Sequence, residues 1–164
     1  MWQPQVVVTD DEYGGYGHPD HVMCHRVTVC AFRAAGDPAA YPDAGPPWHP
    51  SRLYVVAQVG GRWARVAEAM RREGLDTSWV DRRSRSDTNR LPEEAVTAAI
   101  DVTPYVARLR EARLRHRTQT PAGSYWATVP PHLDPLAHGT AYFVRLHPAP
   151  LPGERDADLL DGVD

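Results

Sequence analysis

The feature that most constrains this chain lies near its first residue. Gln5 to Thr9 read QVVVT, a short β-branched run. Such a run predicts a buried strand. A strand buried on both faces needs neighbours in a parallel sheet, and it stands almost alone at the N-terminal end. A Gly- and Asp-rich loop follows over Asp10 to Asp20, and then a helical pattern from His21 to Ala35. Asp20 is the expected N-cap, with Pro19 just before it. The expected apolar side of that helix carries Val22, Met23, Val27, Cys30 and Ala34.

The alternation continues along the chain. Gly36 to Pro50 holds five prolines and two glycines and reads as loop. Arg52 to Gln58 is a second strand. Gly61 to Glu73 is helical, and Gly74 stops it. Leu75 to Pro92 is polar and Arg-rich, a loop or ragged helix. Ala95 to Val102 is a third strand. Thr103 and Pro104 open a helix that runs to about His116. Arg117 to Gly139 is loop-rich, and Ala141 to Leu146 is a short strand. The Pro-rich, acidic end over 148–164 is expected to be a mobile tail on a domain spanning 1–147. Strand and helix in turn predict an α/β layered fold.

Composition narrows the function classes. The chain has 164 residues, enough for one domain. It has no apolar run of membrane-spanning length and no basic-then-apolar leader, so no membrane partner is expected. A net charge of -3 and a pI near 6.2 argue against nucleic acid. All 18 basic residues are Arg. That skew, with a single Asn and a single Ile, reports GC-rich codons before it reports phosphate recognition. Cys24 and Cys30 are six apart. On one helix they point about 240° apart and lie about 9 Å apart along the axis, too far for a disulfide. Two free thiols fit a reducing cytoplasm.

The densest chemical signal is Gly14 to His21, GGYGHPDH, in a loop between strand and helix. Ligands of α/β sheets gather at the carboxyl ends of strands. A neutral imidazole can ligate zinc and a carboxylate can join it. A second histidine can donate a proton to a leaving group, and a tyrosine hydroxyl can stabilise an oxyanion. The same residues can equally be loop groups with local hydrogen bonds.

The stretch TDDEYGGYGHPDHVMCHRVTV resembles the third-ligand motif of the PIG-L/LmbE family of zinc-dependent de-N-acetylases. Within that family the mycothiol branch is nearest. YPDAGPPWHPSRLY and the later HRTQ at His116 to Gln119 look most like its S-conjugate amidases, with the biosynthetic deacetylases second. The likeness runs from Met1 to about Val129. It implies a Rossmann-like fold with a mostly parallel sheet, and a small sugar-amide or mycothiol-conjugate substrate. It implies that His21 is a zinc ligand and His18 the general acid. Asp20 would orient His18, and Tyr16 would polarise the amide carbonyl and stabilise the oxyanion.

The family's other motif, of the type HPDD, has no match here; the only His-Pro-Asp is at His18. That motif supplies two further zinc ligands and the general base. The chain therefore resembles the C-terminal half of the family, with an incomplete fold, and is expected to be inactive alone. A chain carrying the missing half is the implied partner; a non-catalytic remnant is the alternative.

Other residues carry weaker signals. His21, Cys24 and His25 have helical spacing for a weak surface metal site. Asp10, Asp11 and Glu12 precede the glycines and can face the site, but solvated loop charges are the expectation. Trp48, Trp63, Trp79 and Trp126 can line a cleft or anchor packing. Arg82, Arg83, Arg85 and Arg90 read as a solvated basic loop. His116 suits the C-terminal end of a helix. His132, His138 and His147 show no ligand spacing.

Overall fold

The computed structural model describes residues 2–86, 90–120, 124 and 128–163, with 83–86 described in backbone alone. Trp126, Asn89 and the side chains of Arg83 and Arg85 lie outside that description. The chain divides into two compact units. One, the sheet unit, comprises Met1–Gln58, Leu91–Ala99 and Tyr142–Asp164. The other, the helical unit, comprises Val59–Arg90 and Ile100–Ala141.

Four strands form an open sheet: β1 (Val6–Thr9), β2 (Arg52–Ala57), β3 (Ala98–Asp101) and β4 (Thr140–His147), in the order β1-β2-β4-β3. β1 and β2 are parallel, from Val6 opposite Arg52 to Thr9 opposite Val55. β4 runs antiparallel to β2, from Leu53 opposite His147 to Ala57 opposite Tyr142. Against β3, the Thr97 N–H donates to the Phe143 carbonyl at 2.9 Å and the Val102 N–H to that of Gly139 at 2.8 Å. Three strands thus share one direction and β4 opposes them. The α/β class expected from the alternation is the one observed. β2 sits inside the sheet because its LYVVA run can be buried: Leu53, Tyr54, Val55 and Ala57 are core residues.

The sheet unit also holds the single-turn α1 (Gly14–Gly17) and the long α2 (Pro19–Ala35). α2 begins two residues earlier than the sequence suggests, and its cap is His18, not Asp20. Pro19 is the reason: its fixed φ and missing N–H suit the first helical position, which leaves the capping place to His18. α2 has no fully buried residue. Met23 and Val27, on its expected apolar side, are 54% and 59% exposed.

The closing segment is not a loose tail. The Asp156 N–H donates to the Thr97 carbonyl at 2.7 Å, and Asp156 bridges to Ala98 beside β3. Its carboxylate accepts from Arg145 Nη1 at 2.6 Å, Arg52 Nη1 at 3.2 Å and the Tyr54 hydroxyl at 3.1 Å. Arg145, itself buried, also pairs with Glu154. A buried carboxylate persists only when paired and hydrogen-bonded. Composition reads this segment as acidic and soluble; its partners lie up to 104 residues away.

The helical unit is built from α3 (Arg62–Arg72), α4 (Ser78–Ser86), α5 (Val106–Arg115) and α6 (Asp134–His138). Its core joins Trp63, Val66, Ala67, Met70, Val80, Val129, Leu133 and Ala137. α4 occupies the stretch read as loop or ragged helix. Two residues anchor it: Val80 in the core, and Trp79 edge-on to Trp63 at 6.0 Å between ring centroids. Arg110 grips both oxygens of the buried Asp134 at 2.9 Å.

Candidate functional site

The site is built where β1 ends. Asp10 follows the strand, and the chain turns at once: the Gly14 N–H donates to the Asp11 carbonyl at 3.0 Å and the Gly15 N–H to Asp11 Oδ1 at 2.8 Å. Gly14 is required here. Its φ is +73°, and a Cβ would lie 2.7 Å from the Val22 backbone nitrogen. This close approach brings the loop against the first turn of α2.

Three rings then gather. The centroids of Tyr16 and His18 are 5.8 Å apart, Tyr16 and His21 5.3 Å, and His18 and His21 5.5 Å. The residues singled out in GGYGHPDH therefore form one cluster, open to solvent on the Tyr16 side, where the ring is 60% exposed.

The hydrogen bonds fix the tautomers. His21 Nδ1 lies 3.2 Å from Asp10 Oδ1. A carboxylate oxygen accepts from Nδ1, so in the neutral imidazole Nδ1 carries the proton and Nε2 the lone pair. This is the arrangement by which a carboxylate prepares a histidine to ligate a metal. His25 Nδ1 donates to the Asp10 carbonyl at 2.9 Å, so one residue anchors both histidines. Cys24 Sγ lies 3.8 Å from Thr9 Oγ1. His18 is different. Its Nδ1 accepts the Asp20 backbone N–H at 3.1 Å, which leaves the ring proton on Nε2.

Asp20 thus reaches His18 through its backbone. Its carboxylate Oδ2 lies 3.9 Å from His18 Nδ1, and the side chain is 90% exposed. The carboxylate partner of this loop is Asp10, acting on His21. The sequence favours a solvated charge for Asp10 over one facing the site; its place at the carboxyl end of a strand and before the glycines is the signal for the second.

Among the described residues no group of three or more His, Cys, Asp or Glu side chains is placed to hold a metal ion. A catalytic zinc takes three protein ligands. His21 fits the donor chemistry of one, and the described residues do not make up the set. His116 lies beyond the C-terminal end of α5, exposed, with its carbonyl accepting from Gln119 N–H and Thr120 Oγ1. Arg90 Nη1 donates to the Val59 carbonyl at 3.0 Å. Both belong to the helical unit, whereas the ring cluster belongs to the sheet unit. No described helix is long and apolar enough to cross a membrane.

A strand–glycine loop–helix unit of an α/β protein thus presents two histidines and a tyrosine at the carboxyl end of β1. No family model matches the chain. Curated relatives do. It is 34% identical over 170 residues to the 1D-myo-inositol 2-acetamido-2-deoxy-alpha-D-glucopyranoside deacetylase of Streptomyces avermitilis, covering 98% of this chain and 55% of the relative. It is 38% identical over 168 residues to the protein of the same name from Rhodococcus jostii, covering 95% and 52%. A third, deacetylase 1 of Frankia casuarinae, is 34% identical over 166 residues, covering 98% and 54%. Over nearly its whole length the chain is homologous to the deacetylase family to which its loop motif points. It spans about half the length of these relatives.

Proposed function

We propose that the ring cluster is one half of an amide-hydrolysing centre that removes the acyl group from an N-acylated glucosamine. Asp10 on His21 carries this reading: a solvated loop has no need of a carboxylate holding one imidazole with its Nε2 lone pair ready. The relatives' names favour the deacetylase over the S-conjugate amidase, so the substrate proposed is an acetamido sugar joined to an inositol.

In this reading His21 Nε2 is one zinc ligand, oriented by Asp10. A bound zinc supplies Lewis acidity to the amide carbonyl. The chain's own residues do the rest of what it contributes. Tyr16 places its hydroxyl by the carbonyl oxygen and stabilises the oxyanion. His18 delivers a proton from Nε2 to the departing amine. To do so it must be an imidazolium. Protonation of Nδ1 gives up the Asp20 backbone bond, and the Asp20 carboxylate at 3.9 Å is placed to take its place.

The remaining ligands and the general base come, in this proposal, from a polypeptide corresponding to the other half of the relatives. The exposed side of α2, with Met23 and Val27, and the free edge of β1 receive it. An apolar helix face and an unpaired strand edge are both unfavourable in water. The test is complementation. The chain alone should show no deacetylase activity on the N-acetylglucosaminyl-inositol and hold well below one zinc per chain. Mixing with, or fusion to, the complementary half of a relative should give turnover and stoichiometric zinc. Full activity of the isolated chain, or none in a correctly folded fusion, would overturn the proposal.

A further inference from the structure

We propose that a second cleft in the sheet unit, at the C-terminal end of α2, binds an organic cation with an apolar body, such as an aryl- or alkylammonium. The cleft holds about 300 Å³, within the range of small-molecule sites. Phe32 of α2, Tyr41, Pro46, Pro47 and Trp48 supply its apolar walls. Trp48 is fixed at both ends: its backbone N–H donates to the Ala35 carbonyl at 2.8 Å, and its Nε1–H to the Pro4 carbonyl at 2.8 Å. Gly36 permits the sharp fold-back, since a Cβ there would lie 2.4 Å from the His49 ring.

Three observations select a cation. Among the described residues Asp37 is the only charged one lining the cleft, its carboxylate oriented by the Ala39 N–H at 2.8 Å. Ala34 and Ala35, in the last turn of α2, also line it. A helix end of this sense is the negative end of the dipole, here reduced by the N–H groups that the Ala34 and Ala35 carbonyls accept. The sheet unit as a whole has five arginines against thirteen carboxylates, a net charge of -8. Aromatic faces attract cations further, whereas an anion would meet only like charge. Ala35 lies fourteen residues from His21 along α2, about 20 Å of helix, so this cleft is separate from the ring cluster.

The test is a titration of the whole chain with phenyltrimethylammonium and with tert-butylbenzene, its uncharged carbon isostere, followed by tryptophan fluorescence and calorimetry. The cation should bind about tenfold more tightly than the isostere. Asp37→Asn and Tyr41→Leu, both at exposed positions, should each weaken it by about threefold or more with unchanged circular dichroism. His21→Ala should leave it unchanged. Equal affinity for the isostere, no saturable binding of the cation, or affinity unaltered in both cleft variants would overturn the proposal.

Discussion

The two units solve the problem of stability differently. The helical unit closes on itself: Val66, Met70 and Val80 are almost fully buried in one apolar cluster fed by α3, α4, α6 and the segment before α6. Its surface is basic, with thirteen arginines against eight carboxylates, a net charge of +5. The sheet unit is acidic and open. Its longest helix buries no residue fully, and its best-satisfied charges are Asp156 and Arg145, which tie the closing segment to the sheet. Whole-chain composition averages the two into a net charge of -3 and hides the contrast. The candidate chemistry sits in the open unit. A helix that packs little against its own chain can present histidines, and it leaves apolar surface for something else to cover.

Substitutions distinguish the two units. The largest effect is expected at the polar tie. Asp156→Ala takes the buried carboxylate from Arg145, Arg52 and Tyr54, leaving Arg145 only the half-exposed Glu154, and should cost about 3 kcal/mol or more in urea unfolding. It should also open the segment after Pro148 to protease. An effect below about 1 kcal/mol would restore the reading of that segment as a tail. In the helical unit, Met70→Ala leaves a cavity in a closed core and should cost about 2–5 kcal/mol. Equal tolerance there and on α2 would erase the contrast.

A pH effect sharpens the same point. His138 is held down from its ordinary 6.5 to about 4, first by burial and then by the guanidinium groups of Arg62, Arg113 and Arg110. Its folded form therefore resists the proton that the unfolded chain accepts. Its contribution to stability is complete above pH 6.5, declines as pH falls, and is exhausted near 4. His138→Phe should flatten that acid limb, read by the fluorescence of the helical unit. An unchanged limb would place its origin elsewhere. The smallest effect belongs to α2. Val27→Ser should change stability by less than about 0.5 kcal/mol, yet weaken association with the complementary half. A large loss of stability would mean that α2 is already covered.

Local patterns made much of the fold legible. The VVV run, the glycines before His18 and the helical stretch after Pro19 each depend on neighbours within a few residues. What sequence missed depends on distance. Asp156 finds Arg52 and Tyr54 more than a hundred residues away, so composition read a tail. α4 is Arg-rich and poor in apolar residues. Trp79 and Val80 pack it against the unit's core and Asp81 pairs with Arg71 of α3, contacts that no local periodicity reveals. At the site, GGYGHPDH located the cluster, but the roles of the two aspartates differ from their spacing. Asp20 is two residues from His18 and touches it through the backbone, whereas Asp10 is eleven residues from His21 and supplies the carboxylate.

Zinc content beside turnover for two variants of the complemented enzyme separates the proposed roles of His21 as metal ligand and His18 as proton donor. His21→Ala should lose zinc, with partial rescue by excess metal. His18→Ala should keep its zinc and lose about 10²–10⁴-fold in rate. Loss of zinc in His18→Ala but not in His21→Ala, or full activity in both, would contradict the account.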